Sequence, residues 1–186
     1  RKCASFACVD NTNVEWWSFN YRLHRSVLVK CRITWTTFSD GTSTATSATV
    51  TGLTNGTEYV FQVAAINSVG TGSYSVASSV VIPFTVPGQP TSLSGTAGIN
   101  QIDLSWTAPT SNGGAAVTDY VVEYSTNSGS TWVTFVDGVS TSTSASVIGL
   151  TNGTGYIFRV TAKNAAGNGT ASATTSAIVP RTMPSA

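Results

Sequence analysis

The chain has 186 residues, a formal net charge of +1, and charged side chains at only 9% of its positions. A surface solvated by hydroxyls rather than by ions argues against nucleic acid and against a polyanion-binding face. No apolar run approaches the ~20 residues a bilayer-spanning helix needs, and no apolar core of about 7–15 residues marks a secretory signal near the N-terminus.

The averages hide an uneven chain. Residues 1–32 hold all three cysteines (Cys3, Cys8, Cys31), the single histidine (His24) and Arg1, Lys2, Arg22, Arg25, Lys30 and Arg32 against Asp10 and Glu15, a net of 6 − 2 = +4. Residues 33–186 carry three cations against six carboxylates, a net of 3 − 6 = −3. From Thr34 onward a repeat with a spacing of 97 runs without a gap: residues 33–89 and 130–186 share 30 identities in 57. Trp35 maps to Trp132, Asp40-Gly41 to Asp137-Gly138, Asn67 to Asn164 and Pro83 to Pro180. A period near 100 is too long for a solenoid unit and suits independent domains in series.

Gly52-Leu53-Thr54-Asn55-Gly56-Thr57 leads into Tyr59, Phe61, Val63 and Ala65, and Gly149-Leu150-Thr151-Asn152-Gly153-Thr154 leads into Tyr156, Phe158, Val160 and Ala162. Alternating large apolar residues predict a strand with one buried face. The Asn-Gly ahead of each supplies the turn, because both residues tolerate positive φ. Leu53 with Tyr59, and Leu150 with Tyr156, are placed to close a corner, ring inward and hydroxyl toward a backbone carbonyl near the leucine. Between the copies, Ile82-Pro83-Phe84-Thr85-Val86-Pro87-Gly88 reads as an extended, semi-rigid linker, with Phe84 and Val86 set to pack between neighbouring domains. Beyond it, Ile102–Trp106 and Tyr120–Tyr124 read as strands and Asn112-Gly113-Gly114 as a turn. The expected core is Ile102, Leu104, Trp106, Tyr120, Val122, Leu150, Tyr156, Phe158, Val160 and Ala162, with Tyr124 beside it.

Residues 88–180 resemble a fibronectin type III domain over their whole length. The resemblance rests on Pro87-Gly88-Gln89-Pro90 at entry, Trp106 on the second strand, Tyr120–Tyr124 on the third, the Leu150/Tyr156 corner, and Asn164 with Gly167. It implies an all-β fold of tandem immunoglobulin-like β-sandwiches, about seven strands each, the first with an aberrant N-terminal segment. The repeats divide as 1–85 and 86–180, with 181–186 starting a further linker or repeat. Pro180-Arg181-Thr182-Met183-Pro184 aligns with Pro83–Pro87, so the chain reads as a fragment of a longer array.

On the same spacing residues 1–32 should match 98–129, yet they share almost nothing with them. Reading the codons one base later changes this. Trp16-Trp17 must be TGG-TGG, so the shifted codon is GGT, a glycine, and Trp17-Ser18 forces a second. Glu15-Trp16 gives Asn or Ser. These fall on Asn112-Gly113-Gly114. Permitted codons elsewhere restore counterparts of Trp106, Pro109, Asp119, Tyr120 and Tyr124. Residues 1–32 therefore read as an out-of-frame version of an ordinary repeat. Within them Ser26–Thr34, with Val27, Val29, Cys31 and Ile33 in alternation, is placed to serve as a substitute third strand.

Cys3, Cys8, Cys31 and His24 match no zinc-ligand spacing, and no cofactor is expected. Serine hydrolysis needs a base beside the nucleophile, and the lone histidine lies in the aberrant segment. Asp119 and Glu123 share one strand face, read as the solvated one rather than as a glycosidase pair. Asn55-Gly56-Thr57, Asn152-Gly153-Thr154 and Asn168-Gly169-Thr170 fit the N-glycosylation pattern, but turn chemistry already accounts for the first two. Trp35, Trp132 and Asn112 remain as surface candidates for contacting a polysaccharide or another protein. The expected role is a non-enzymatic spacer or interaction module of a larger extracellular or cell-surface protein. Its partners are neighbouring repeats, with no nucleic acid and no membrane span in this piece. The alternative is a carbohydrate- or protein-binding adhesin, or an accessory module of a secreted polysaccharide-degrading enzyme.

Overall fold

The computed structural model describes the backbone of residues 22–29, and residues 35–39 and 41–182 in full. Ten strands run through them: β1 Arg22–Val29, β2 Trp35–Phe38, β3 Tyr59–Ile66, β4 Thr91–Ala97, β5 Gln101–Thr107, β6 Asp119–Ser125, β7 Val133–Phe135, β8 Ser144–Ile148, β9 Ile157–Asn164 and β10 Gly167–Ala171. None of the described residues forms a helix long and apolar enough to cross a membrane.

The last seven strands make two antiparallel sheets, β10-β9-β6-β7 and β4-β5-β8. The alternation is clearest on β5. β5 buries Ile102, Leu104 and Trp106 while Asp103, Ser105 and Thr107 face outward. That is the period-two pattern of a sheet packed on one side. Beside them in the same sheet β8 contributes Val147, and from the opposite sheet β6 contributes Tyr120 and Val122 and β9 contributes Phe158, Val160 and Ala162. Trp106 meets Tyr120 edge-on, with ring centroids 5.3 Å apart and planes at 64°. Tyr124 meets Tyr156 at 5.6 Å and 71°. Such edge contacts place a positive ring rim against a negative face.

In the first half, β2-β1-β3 form one antiparallel sheet. β1 pairs β3 with Arg22 opposite Ile66 and Leu28 opposite Val60. β6 pairs β9 with Asp119 opposite Lys163 and Ser125 opposite Ile157, the same partners 97 positions later. The substitute strand expected at Ser26–Thr34 therefore starts four residues earlier, at Arg22. Pairing with β3 sets that start, because backbone groups along β3 need partners whatever side chains the facing strand carries. The other sequence readings for residues 1–21 lie outside the described residues.

After β3 and after β10, the chain runs back along the neighbouring strand in a three-for-two pattern. The amides of Gly72, Ser75, Ser78 and Val81 donate to the carbonyls of Ala65, Val63, Phe61 and Tyr59. In the second repeat Ser172, Thr175 and Ile178 donate to Val160, Phe158 and Tyr156. Three residues on the returning chain thus cover two on the strand, a bulge at each step. The amides this leaves over are met by hydroxyls: Val63 donates to Ser75 Oγ, Phe61 to Ser78 Oγ, Val160 to Ser172 Oγ and Phe158 to Thr175 Oγ1.

Candidate functional site

Each repeat is closed by its corner. The Thr54 amide donates to the Tyr59 hydroxyl at 2.9 Å, and the Thr151 amide to the Tyr156 hydroxyl at 3.1 Å. The phenol oxygen thus accepts from an amide, where the sequence reading aimed it at a carbonyl. The nearby carbonyls are already engaged: Thr54 and Thr151 accept from Thr57 and Thr154 within the turn, and Leu150 accepts from Asn100 Nδ2. The turn amide is the group left over, and the buried ring brings it an acceptor.

The joint between the repeats is built from backbone. Thr85 donates its amide to the Gly113 carbonyl and Gly88 to the Ser111 carbonyl, at 2.8 and 2.9 Å. Asn164, only 3% exposed, donates through Nδ2 to the carbonyls of both Thr85 and Asn112, each at 2.8 Å. Gly56 at the first corner donates to the Pro83 carbonyl at 2.8 Å. Phe84 and Val86, which sequence placed between the domains, are instead half-exposed. Hydrogen bonds hold the linker together with the fully buried Pro87, rather than packing of Phe84 and Val86.

Two glycines make this approach possible. Gly113 and Gly114 have φ of +73° and +88°, a left-handed conformation that side chains disfavour. A Cβ on Gly113 would lie 2.6 Å from the Val86 carbonyl oxygen. One on Gly114 would lie 2.8 Å from the Asn55 carbonyl carbon and closer still to the Gly56 nitrogen. The Asn112–Gly114 loop therefore rests directly on the Asn55-Gly56 corner turn of the preceding repeat.

The three surface candidates do not converge. Asn112 is exposed, but its Oδ1 accepts the Gly114 amide at 2.9 Å and its carbonyl accepts Asn164. Trp132 is half-buried, with the Arg159 guanidinium 4.2 Å from its ring centroid, so one face is taken by a cation–π contact. Trp35 is 38% exposed, on the short edge strand β2. Asp119 and Glu123 are half-buried rather than on an open solvated face. Glu123 is gripped by Arg159 through both oxygens, at 2.7 and 3.1 Å, because β6 and β9 bring the two opposite each other. Asp119 accepts the amides of Tyr120 and Ser140. Burial pushes the Tyr120 phenol above its ordinary value. Among the described residues no three His, Cys, Asp or Glu side chains gather as for a metal ion. Cys3, Cys8, Cys31 and the His24 side chain lie outside them.

Two antiparallel sheets of four and three strands, closed by a tyrosine corner, define an immunoglobulin-like β-sandwich. The chain belongs to the fibronectin type III family: the model for the Fibronectin type III domain matches residues 9–81 and 88–178. It is similar to Chitinase A1 of Niallia circulans, 39% identical over 135 residues that make up 67% of this chain and 18% of that protein. It is also similar to cardiac-type Myosin-binding protein C of Rattus norvegicus, 36% identical over 115 residues, 61% of this chain and 9% of that one. The chain thus spans less than a fifth of either relative's length. Domains A168–A170 of titin share the fold, with a TM-score of 0.57 and 21% identity over 87% of this chain and 55% of theirs.

Proposed function

We propose that this tandem fibronectin type III module is a non-catalytic spacer, which sets the distance and orientation of neighbouring domains in a larger extracellular or cell-surface protein. The observation that carries the reading is the Asn164 clasp. A buried side chain spent on the linker carbonyl of Thr85 is suited to holding two sandwiches in one geometry. The surface candidates support the same reading, since Asn112 and Trp132 are both engaged within the chain. A second reading, an accessory module that contacts polysaccharide, is favoured by the resemblance to Chitinase A1 and rests on Trp35 and the open face of Trp132. Small-angle scattering tests the first: the chain should scatter as one elongated particle, and Asn164→Ala should broaden its distance distribution. Co-sedimentation with chitin and cellulose tests the second. Retention of the intact chain that Trp35→Ala or Trp132→Ala abolishes would replace the spacer reading.

We further infer that residues 1–32 are an out-of-frame reading of the part of a repeat that corresponds to β5 and β6. The forced glycines at Trp16-Trp17 and the return of the 97-residue spacing near Ile33 support it. The coding DNA decides. One-base changes bracketing this segment, relative to the second repeat, are expected; a coding sequence that aligns with that repeat in no frame would end the idea.

A further inference from the structure

The joint has a receiving part and an inserting part. The receiving part, the first repeat's corner, occurs again in the second. Gly153 donates to the Pro180 carbonyl at 3.1 Å as Gly56 donates to Pro83, inside the same Leu-Thr-Asn-Gly-Thr sequence and beneath the same tyrosine bond. The two differ in occupancy. A Cβ on Gly56 would meet the Gly114 Cα at 3.2 Å, whereas one on Gly153 would meet nothing within 4 Å among the described residues. The linker is repeated too, Pro180-Arg181-Thr182-Met183-Pro184 standing where Pro83-Phe84-Thr85-Val86-Pro87 stands.

We propose that the Asn152-Gly153 corner, with Pro180 beside it, is a docking site for the Asn-Gly-Gly loop of a following fibronectin type III repeat. The inserted loop would repeat the contact that Asn112–Gly114 makes on Asn55-Gly56. The occupant follows from the shape of the receiver. A bare glycine edge, carrying no side chain, lets another backbone come to van der Waals distance, as Gly114 does on Gly56, and a left-handed Gly-Gly pair is what presents one there. Asn152 does not close the site, because its side chain is drawn aside: its Oδ1 accepts the Asn100 amide, and its Nδ2 donates to Asn100 Oδ1, at 2.8 and 3.0 Å. The joint is thereby a property of each repeat, copied along the array at the 97-residue period. This inference rests on the spacer reading.

The test is a chain in which residues 88–182 are repeated directly after Pro184, compared with the 186-residue chain by amide NMR. The third repeat should shift the amides of Asn152, Gly153 and Thr154. Those shifts should return to their two-repeat values when the third repeat's counterpart of Gly114 becomes Asn. Asparagine tolerates the left-handed conformation, so that variant keeps the loop fold while adding a Cβ at the contact. Its own resonances report whether the third repeat remains folded. Unchanged corner amides beside a folded third repeat would overturn the docking site. Scattering on the same samples separates the two ideas. Lengthening by one repeat with an undisturbed corner keeps the spacer and removes the joint. A compact particle, with no added length, removes both.

Discussion

The two repeats have nearly the same second half and very different interiors. Phe158 and Val160 are fully buried, while Phe61 and Val63, identical residues on the equivalent strand, are only half-buried. Their own strands do not differ in pattern or register. Among the described residues, what differs is the facing sheet, which only the second repeat shows. In the second repeat Ile102, Leu104 and Trp106 on β5 cover them; 97 positions earlier the sequence has Ser5, Ala7 and Val9. An alternating strand specifies which face is to be buried, and its partner sheet decides whether that happens.

The largest effect should come from giving the first repeat the cover that the second has. Replacing residues 1–32 with the sequence of 98–129 should raise the first repeat toward a typical domain stability of ~5–15 kcal/mol. Denaturation should then show two similar transitions, where the present chain should show unequal ones. A first repeat no more stable than before would refute the out-of-frame reading of that segment.

Single core truncations sharpen the comparison. Trp106→Ala and Phe158→Ala should each cost ~3–5 kcal/mol in the second transition, as large-to-small changes in a packed core. Phe61→Ala, starting from a half-covered ring, should cost about half as much in the first, because less buried area is lost. Chemical denaturation followed by tryptophan fluorescence measures all three. Equal costs for Phe61 and Phe158 would mean that both repeats have comparable interiors.

The corners are where the repeats should agree. Tyr59→Phe and Tyr156→Phe each remove one hydrogen bond to a turn amide and should each cost about 0.5–1.5 kcal/mol. A much smaller loss at Tyr59 would show its corner loosened along with its core. Tyr120 gives the smallest effect. Its phenol is held in the neutral form by burial, so its folded value lies above the unfolded one near ~10. That contribution is fully present below pH ~10 and is lost as pH rises through the folded value. The second repeat should therefore weaken in this alkaline window. Thermal melts from pH 9 upward, with Tyr120→Phe removing the dependence, check it.

Period-two alternation and the Asn-Gly turns made β5, β6, β9, the corners and most core residues of the second repeat readable from sequence, while β4, β7, β8 and β10 carry no such run of alternating large apolar residues. Val147 is harder to read: Ala145 and Val147 alternate with serines, a faint signal in a chain this rich in Ser and Thr. The joint was less legible. Asn112-Gly113-Gly114 looks like any tight turn, and its partner corner lies some sixty residues away, where no local pattern points to it. The direction of the tyrosine bond was equally hidden, since it depends on which backbone groups the turn has already used.

The three-for-two return of residues 72–81 and 172–178 bears on how similar neighbours avoid misassembly. Tandem domains of similar sequence risk exchanging strands or zipping together along open sheet edges. Here the outermost run has a stagger that a regular strand cannot match, and Ser75, Ser78, Ser172 and Thr175 turn their hydroxyls inward to satisfy their own repeat. An incoming strand would find no evenly spaced row of donors and acceptors. The protection uses no charge, so it should persist at ionic strengths that silence lysine gatekeepers. The two repeats can thus each keep to themselves in brine as well as in dilute buffer.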